Sequence, residues 1–254
     1  MDLPNKVIVI TGAGRGIGAA TAELCAKNGA KVVIADINDE WGKSAVDKIR
    51  SQGGEASYLH TDVSKEPEVA ALVKFAVDKY GKLDGIVNNA ATIVVKSAHL
   101  ITAEEWDRVI GVNLTGVFYG CKHAILQFKK QGGGGSIVNL GSISAVVGML
   151  EQAVYCASKG GVNSLSRQIA VDYAKENIRC NTIGPGSVQG DFLDIYLDGQ
   201  RDPAEARKRV IATHPIGRLA EANEIAETIM FMLSDRSSFV TGANLQVDGG
   251  YSEI

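Results

Sequence analysis

Val7-Ile8-Val9-Ile10-Thr11-Gly12-Ala13-Gly14-Arg15-Gly16-Ile17-Gly18 opens with an unbroken apolar run, turns through a glycine cluster and leads into a helical pattern from Ala19 to Asn28. A run without polar alternation is what a strand covered on both faces of a parallel sheet requires. Glycines let the backbone turn tightly and approach a pyrophosphate, while the helix behind them offers free N–H groups and the positive end of its dipole. Strand, turn and helix together imply a dinucleotide site at the head of a doubly wound α/β sheet. The spacing is not GxGxxG, since Ile17 and Ala19 occupy the positions where that pattern would need glycine.

The same alternation continues downstream. Lys31-Val32-Val33-Ile34-Ala35 reads as a second strand ending at Asp36-Ile37, and a carboxylate at that distance from the glycine turn suits both ribose hydroxyls of an adenosine. Asp36 would repel a 2′-phosphate, and Ile37 adds apolar surface, so the expected cofactor is NAD; Arg15, a cation inside the turn, argues the other way. Ala56 to Thr61 reads as a third strand running into Asp62-Val63, and a helix starts near Ser64. Leu83 to Ala91 reads as a fourth strand ending in Asn88-Asn89-Ala90, and Ala103 to Lys130 as one long helix. Gly135 to Leu140 and Ile178 to Ile183 supply further strands, with a last one near Val240 to Asp248. Strands alternating with helices give a single-domain, Rossmann-type doubly wound parallel sheet of about seven strands, in the order 3-2-1-4-5-6-7, with helices on both faces.

Inside the helical pattern Val154 to Lys175, Tyr155 and Lys159 are four residues apart and so share a helix face. A cation at roughly 5 Å in an effective dielectric of about 20 favours the phenolate by about 3 kcal/mol, a little over two pKa units. That would bring Tyr155 into the range of a general acid/base. Alone the spacing is weak, because a core tyrosine and a solvated lysine explain it equally well. Its company is Ser142, which follows the strand at Leu140-Gly141 and projects a hydroxyl where open α/β sheets bind ligands.

These residues resemble the signature of the classical short-chain dehydrogenase/reductase family: TGxxxGxG at Thr11, Gly12, Gly16 and Gly18, then Ser142, Tyr155 and Lys159, with Asn113 on the long helix. The resemblance runs over almost the whole chain and implies catalytic roles for Asn113, Ser142, Tyr155 and Lys159. Asn113 would hold a water that links Lys159 to solvent. The implied cofactor contacts are Gly12, Arg15, Gly16, Ile17, Gly18, Asp36, Ile37, Asp62, Val63, Asn89, Ala90, Tyr155, Lys159, Pro185, Gly186 and Val188. Substrate would meet Ser142, Ser144, Gln152 and Tyr155, beside the apolar candidates Val146, Met149, Leu150 and Phe192. Two positions depart from the family: Ala91 stands for the usual Gly, and Gly190 for a Thr expected near the carboxamide or pyrophosphate. The implied activity is hydride transfer between NAD and a secondary alcohol or ketone, with Tyr155 as general acid/base. The alternative is a non-catalytic nicotinamide-binding regulatory or scaffold protein, against which the four intact catalytic positions argue.

Composition narrows the setting. With 254 residues, 45% hydrophobic and 22% charged, the chain suits one NAD-binding domain over 1–254, the charged segment around 190–214 serving as a substrate lid. Phe192, Leu193, Ile195, Tyr196 and Leu197 are expected to close over the substrate, hinging at Gly190 and Gly199; the alternative is a permanently docked surface helix pair. A net charge of -3 gives no reason to expect nucleic acid or an anionic membrane surface as partner. No apolar run approaches the roughly 18 residues that a membrane span needs, and the expected location is the cytoplasm. Cys25, Cys121, Cys156 and Cys180 are read as buried thiols, and neither they nor the scattered His60, His99, His123 and His214 make a metal site. The glycine run Gly132 to Gly135 is read as a connection within the domain, and a homotetramer is expected from the family.

Overall fold

Both faces of the first strand are covered, which accounts for the unbroken apolar run Val7 to Ile10. In the computed structural model, which describes residues 1–253, β1 (Val7–Thr11) is buried throughout. Then follow α1 (Gly16–Lys27), β2 (Lys31–Asp36), α2 (Asp39–Ser51), β3 (Glu55–His60), α3 (Glu66–Tyr80), β4 (Gly85–Asn88), α4 (Ala103–Ile110), α5 (Gly116–Gln131) and β5 (Gly135–Leu140). The chain continues through α6 (Ala153–Tyr173), β6 (Ile178–Pro185), α7 (Asp191–Asp198), α8 (Pro203–Ala212), α9 (Ala222–Leu233) and β7 (Asn244–Val247). The seven strands form one parallel sheet in the order β3-β2-β1-β4-β5-β6-β7, as the alternation of the sequence implies.

Successive strand side chains point to opposite faces, so each strand feeds two cores. Ile8 and Ile10 join Val32 and Ile34 beneath α1, α2 and α9, through Ala22, Cys25, Val46, Ile49, Ile225 and Ile229. Val7 and Val9 join Val33 and Ala35 beneath α3, α5 and α6, through Leu72, Ala76, Cys121, Phe128, Val162 and Ile169. Because β1 pairs with β2 on one side and β4 on the other, the chain leaves the middle of the sheet in two directions, and a crevice opens at the strands' carboxyl ends.

Several boundaries differ from the sequence expectation. Helix α1 begins at Gly16 rather than Ala19, which brings the glycines into its first turn. The long helix is broken by a π turn, Gly111–Thr115, whose Asn113 is wholly buried. Residues 103–131 are, among the described residues, the one helical stretch long and apolar enough by length and mean hydropathy to cross a membrane. Its apolar side chains Val117, Cys121, Ala124 and Phe128 pack against the sheet. Cys156, in the first turn of α6 beside the crevice, is only half-buried, unlike Cys25, Cys121 and Cys180.

Candidate active site

The phosphate turn is held in shape before any ligand is considered. Gly12 (φ +61°) and Gly16 (φ +59°) adopt left-handed backbone that other residues resist. A Cβ on Gly12 would lie 2.7 Å from the Ala90 Cα, whereas one on Gly16 would meet nothing within 4 Å, so Gly16 faces open space. Asn89 donates from Nδ2 to the carbonyls of Thr11 and Gly12, both at 2.9 Å, and the Thr11 hydroxyl accepts the N–H groups of Asn89 (3.0 Å) and Ala90 (3.1 Å). The two Nδ2 hydrogens of Asn89 are therefore spent on the turn, and its Oδ1 keeps acceptor capacity for a ligand. Arg15 caps α1 without a side-chain bond, and the first turn contains no acidic residue. Its leading N–H groups thus have no side-chain acceptor, and an open glycine face stands beside them, which fits a pyrophosphate.

Asp36 ends β2 at 7% exposure. Its Oδ2 accepts the Gly14 N–H and its Oδ1 the Asn38 N–H, both at 2.9 Å. A carboxylate offers about four acceptor sites, so each oxygen keeps capacity toward the groove that it lines together with Ile37, Asp62 and Val63. Arg15 is engaged elsewhere: its guanidinium lies 3.8 Å from the centre of the Trp41 ring, and its Nε is 2.9 Å from Asp191 Oδ2 at the start of α7. A 2′-phosphate would have to draw Arg15 away from both.

At the other end of the groove, β5 and α6 bring the expected catalytic residues together. Ser142, at 9% exposure, donates to the Ser144 hydroxyl (3.1 Å) and accepts the Ser144 N–H (3.1 Å), which caps a short 3-10 turn. Tyr155 is half-buried, its ring 6.2 Å from that of Phe192. Lys159, at 2% exposure, lies below with Nζ 5.6 Å from the Tyr155 ring centre and 2.6 Å from the Leu140 carbonyl, to which it donates. Asn113 accepts the Thr92 N–H at 2.8 Å and donates to the Thr92 carbonyl (2.9 Å) and the Ser158 hydroxyl (3.2 Å). Both ends of its amide are engaged in tying the segment after β4 to α6, so for a water relay the side chain keeps little more than a second lone pair on Oδ1.

In the ligand-free protein the electrostatics run opposite to one sequence expectation. Burial pushes the Tyr155 phenol up to about 12, with the Ser142 hydroxyl pulling the other way and the Cys156 thiol adding slightly to the rise. Burial also pulls the Lys159 ammonium down to about 8. The four-residue spacing brings the two groups together, but the ammonium spends its bond on Leu140, and the cost of removing a phenolate from water outweighs its attraction.

One groove of about 910 Å³ joins the two ends and is lined by all the expected catalytic, cofactor and substrate residues except Gly18, Asn113 and Val146. Gly18 instead packs under the turn, where a Cβ would lie 2.3 Å from the Gly12 carbonyl oxygen. Ser142, Ser144, Gln152, Met149, Leu150 and Phe192 line the reacting end; Val146 does not and is 52% exposed. Sequence reading missed Trp41, Thr92, Ile93, Thr213 and Tyr251, which also line it. Asp248 accepts the N–H groups of Gly250 and Ser252 and so curls the C-terminal segment, with Tyr251, toward the groove.

The segment expected as a lid is the helix pair α7 and α8. Gly190 has φ +126°, a conformation that the family's usual Thr would resist, which accounts for the departure there. Gly199 is right-handed (φ -77°) and shows no such need. The expected apolar group divides: Leu193 and Leu197 are buried against Ala206 of α8 and Leu219, whereas Phe192 (40%) and Ile195 (49%) stay exposed. Only Phe192, Leu193 and Tyr196 of that group reach the groove.

A family model described as enoyl-(acyl carrier protein) reductase matches residues 12–252. The chain is 43% identical over 251 residues to a cis-4-hydroxycyclohexanecarboxylate dehydrogenase from Sinomonas cyclohexanicum, covering 98% of each. It is 40% identical over 257 residues to a 2,5-dichloro-2,5-cyclohexadiene-1,4-diol dehydrogenase from Sphingobium indicum, covering 100% of this chain and 99% of that one. The crystal structure of levodione reductase superposes with a TM-score of 0.95 at 33% identity, over 99% of each chain.

Proposed function

The chain belongs to the short-chain dehydrogenase/reductase family, whose dehydrogenases use a nicotinamide cofactor, and from that premise we propose that it is an NAD-dependent dehydrogenase of secondary alcohols on small carbocycles. The observation that carries this reading is the convergence of Ser142, Tyr155 and Lys159 at one end of the groove whose other end holds Asp36. NAD specificity rests on Asp36, oriented for hydroxyls, and on Arg15, already engaged by Asp191 and Trp41. The ring preference rests on two relatives whose names place a hydroxyl on a six-carbon ring, and on the apolar wall of Met149, Leu150 and Phe192.

Bound NAD would accept the hydride at its nicotinamide ring and carry a positive charge there until it does. Tyr155 takes the hydroxyl proton of the alcohol, and Ser142 holds the same oxygen by a hydrogen bond. A phenol displaced upward by burial needs positive charge on its other side to act near neutral pH. Lys159 supplies part of it and, from beneath Tyr155, is placed to bind ribose hydroxyls. Asn113 positions α6 through Ser158. Phe192 shields the phenol from water, and α7 with α8 forms a lid anchored by Leu193 and Leu197. Exposed Phe118 (45%), Leu126 (55%) and Val171 (80%) on the long helices, with Phe239 and Leu245 near the C-terminus, suit burial in a homotetramer. The unpaired cysteines suit a reducing cytoplasm. Following NADH formation with cyclohexanol, substituted cyclohexanols and acyclic secondary alcohols tests the reading: turnover is expected with the ring alcohols, and none with any secondary alcohol would overturn it.

A further inference from the structure

His214 takes no part in the chemistry above, yet it is buried at 3% exposure between the end of α8, the turn after β6 and the C-terminal segment. Its Nδ1 lies 2.8 Å from the Val210 carbonyl oxygen, so Nδ1 must carry a hydrogen. Its Nε2 accepts the Ser187 N–H at 3.0 Å, so Nε2 must be bare. The two partners together select the neutral Nδ1–H tautomer. The Tyr251 ring meets the imidazole edge-on at 5.2 Å, and a Cβ on Gly186 would lie 2.9 Å from Nε2, so the imidazole seats directly on the glycine backbone.

Around that point the main chain is held from outside. Gly186 donates to the Val247 carbonyl (3.1 Å), and Ala220 donates to the Ser187 carbonyl (3.0 Å) and accepts from Gln189 (2.9 Å). Among the described residues, His214 is the only side chain bonded to the backbone of this stretch. We propose that His214 is a positioning residue for the nicotinamide end of the groove. As a neutral acceptor it holds the Ser187 amide, and with it the Gly186 to Val188 backbone, while its Nδ1 hydrogen ties the same turn to the last turn of α8. Cofactor turn and lid thus share one anchor. The inference rests on the reading that Pro185 to Val188 faces the nicotinamide.

Two substitutions separate the two bonds. In His214→Gln the amide oxygen can replace Nε2 as acceptor, whereas in His214→Asn the amide nitrogen can replace only the Nδ1 donor. Mass-resolved hydrogen exchange on the cofactor-free protein is expected to show faster exchange in the 186–189 segment of His214→Asn and near-normal exchange there in His214→Gln. The NADH dissociation constant, followed by fluorescence, should rise about tenfold in His214→Asn, the scale of one buried donor left unpaired, and stay within a few-fold in His214→Gln. Unchanged exchange in His214→Asn would overturn the anchor and leave the cofactor reading intact. Faster exchange with unaltered NADH affinity would overturn the cofactor reading of the turn, and the positioning role with it. Faster exchange over the whole chain, which the Gln variant does not relieve, would make His214 a core residue only.

Discussion

Asp36, buried, and Tyr155, half-buried, stand at opposite ends of one groove, and the protein treats their charge in opposite ways. Two backbone N–H groups support the Asp36 carboxylate, and the phosphate turn beside it is braced by Asn89 and Thr11. Around Tyr155 the chain provides one hydroxyl and a lysine whose own bond runs to Leu140, so burial raises the phenol and lowers the ammonium. On the proposed reading, the Asp36 end is built in advance, whereas the Tyr155 end awaits charge from its ligand. Binding should therefore precede activation of the base, and damage to one end should leave the other nearly intact.

The hardest test of that independence is Tyr155→Phe. It should lower kcat by at least about 100-fold, the scale of general acid/base catalysis, while NADH affinity and melting temperature stay near those of the wild type; near-normal turnover would break the contrast at once. Next in size, the wild type should prefer NAD over NADP by at least about tenfold in kcat/KM, one charge–charge contact in a partly buried site, and Asp36→Ala should erase most of that preference without lowering kcat with saturating NAD. Limited trypsin digestion should cut first at Arg201, Arg207, Lys208 or Arg209, and NAD with a substrate analogue should slow those cuts several-fold; first cuts elsewhere would count against a ligand-ordered lid. The smallest effect is expected from Asp191→Asn. The Arg15–Asp191 pair is roughly half-exposed, and such pairs contribute about 0.2–1 kcal/mol, so freeing Arg15 should improve kcat/KM for NADP only a few-fold. Steady-state kinetics with both cofactors would detect it.

What could be read in advance divides along similar lines. The sheet order, the phosphate turn and Asp36 were legible because each depends on a local pattern: apolar runs, glycines between strand and helix, and a carboxylate at a strand end. Ser142, Tyr155 and Lys159 were legible through motif spacing, which also places the two α6 residues on one face. The sign of the Tyr155 displacement was not, since spacing gives the distance to Lys159 but not the desolvation cost that outweighs its attraction or the Leu140 carbonyl that claims it. The inward positions of α2, Gly42, Ala45, Val46 and Ile49, follow a helical period but include two small residues, and Trp41 beside them carries no signal of its own. The Asn113 bonds to Thr92 and Ser158, the Arg15–Asp191 pair and the His214–Ser187 bond all join residues far apart in sequence, where no local period can announce them.

Comparing phenolate absorbance in the wild type and Tyr155→Phe, with and without NAD, isolates the titration of this one side chain. In the free protein, no Tyr155 phenolate is expected up to about pH 10, where an ordinary tyrosine is half ionised, because burial holds the group near 12. With NAD bound, the phenolate should emerge below that pH. A phenolate that forms at the same pH without NAD, or a titration that NAD leaves unmoved, would contradict a reacting end completed by its cofactor.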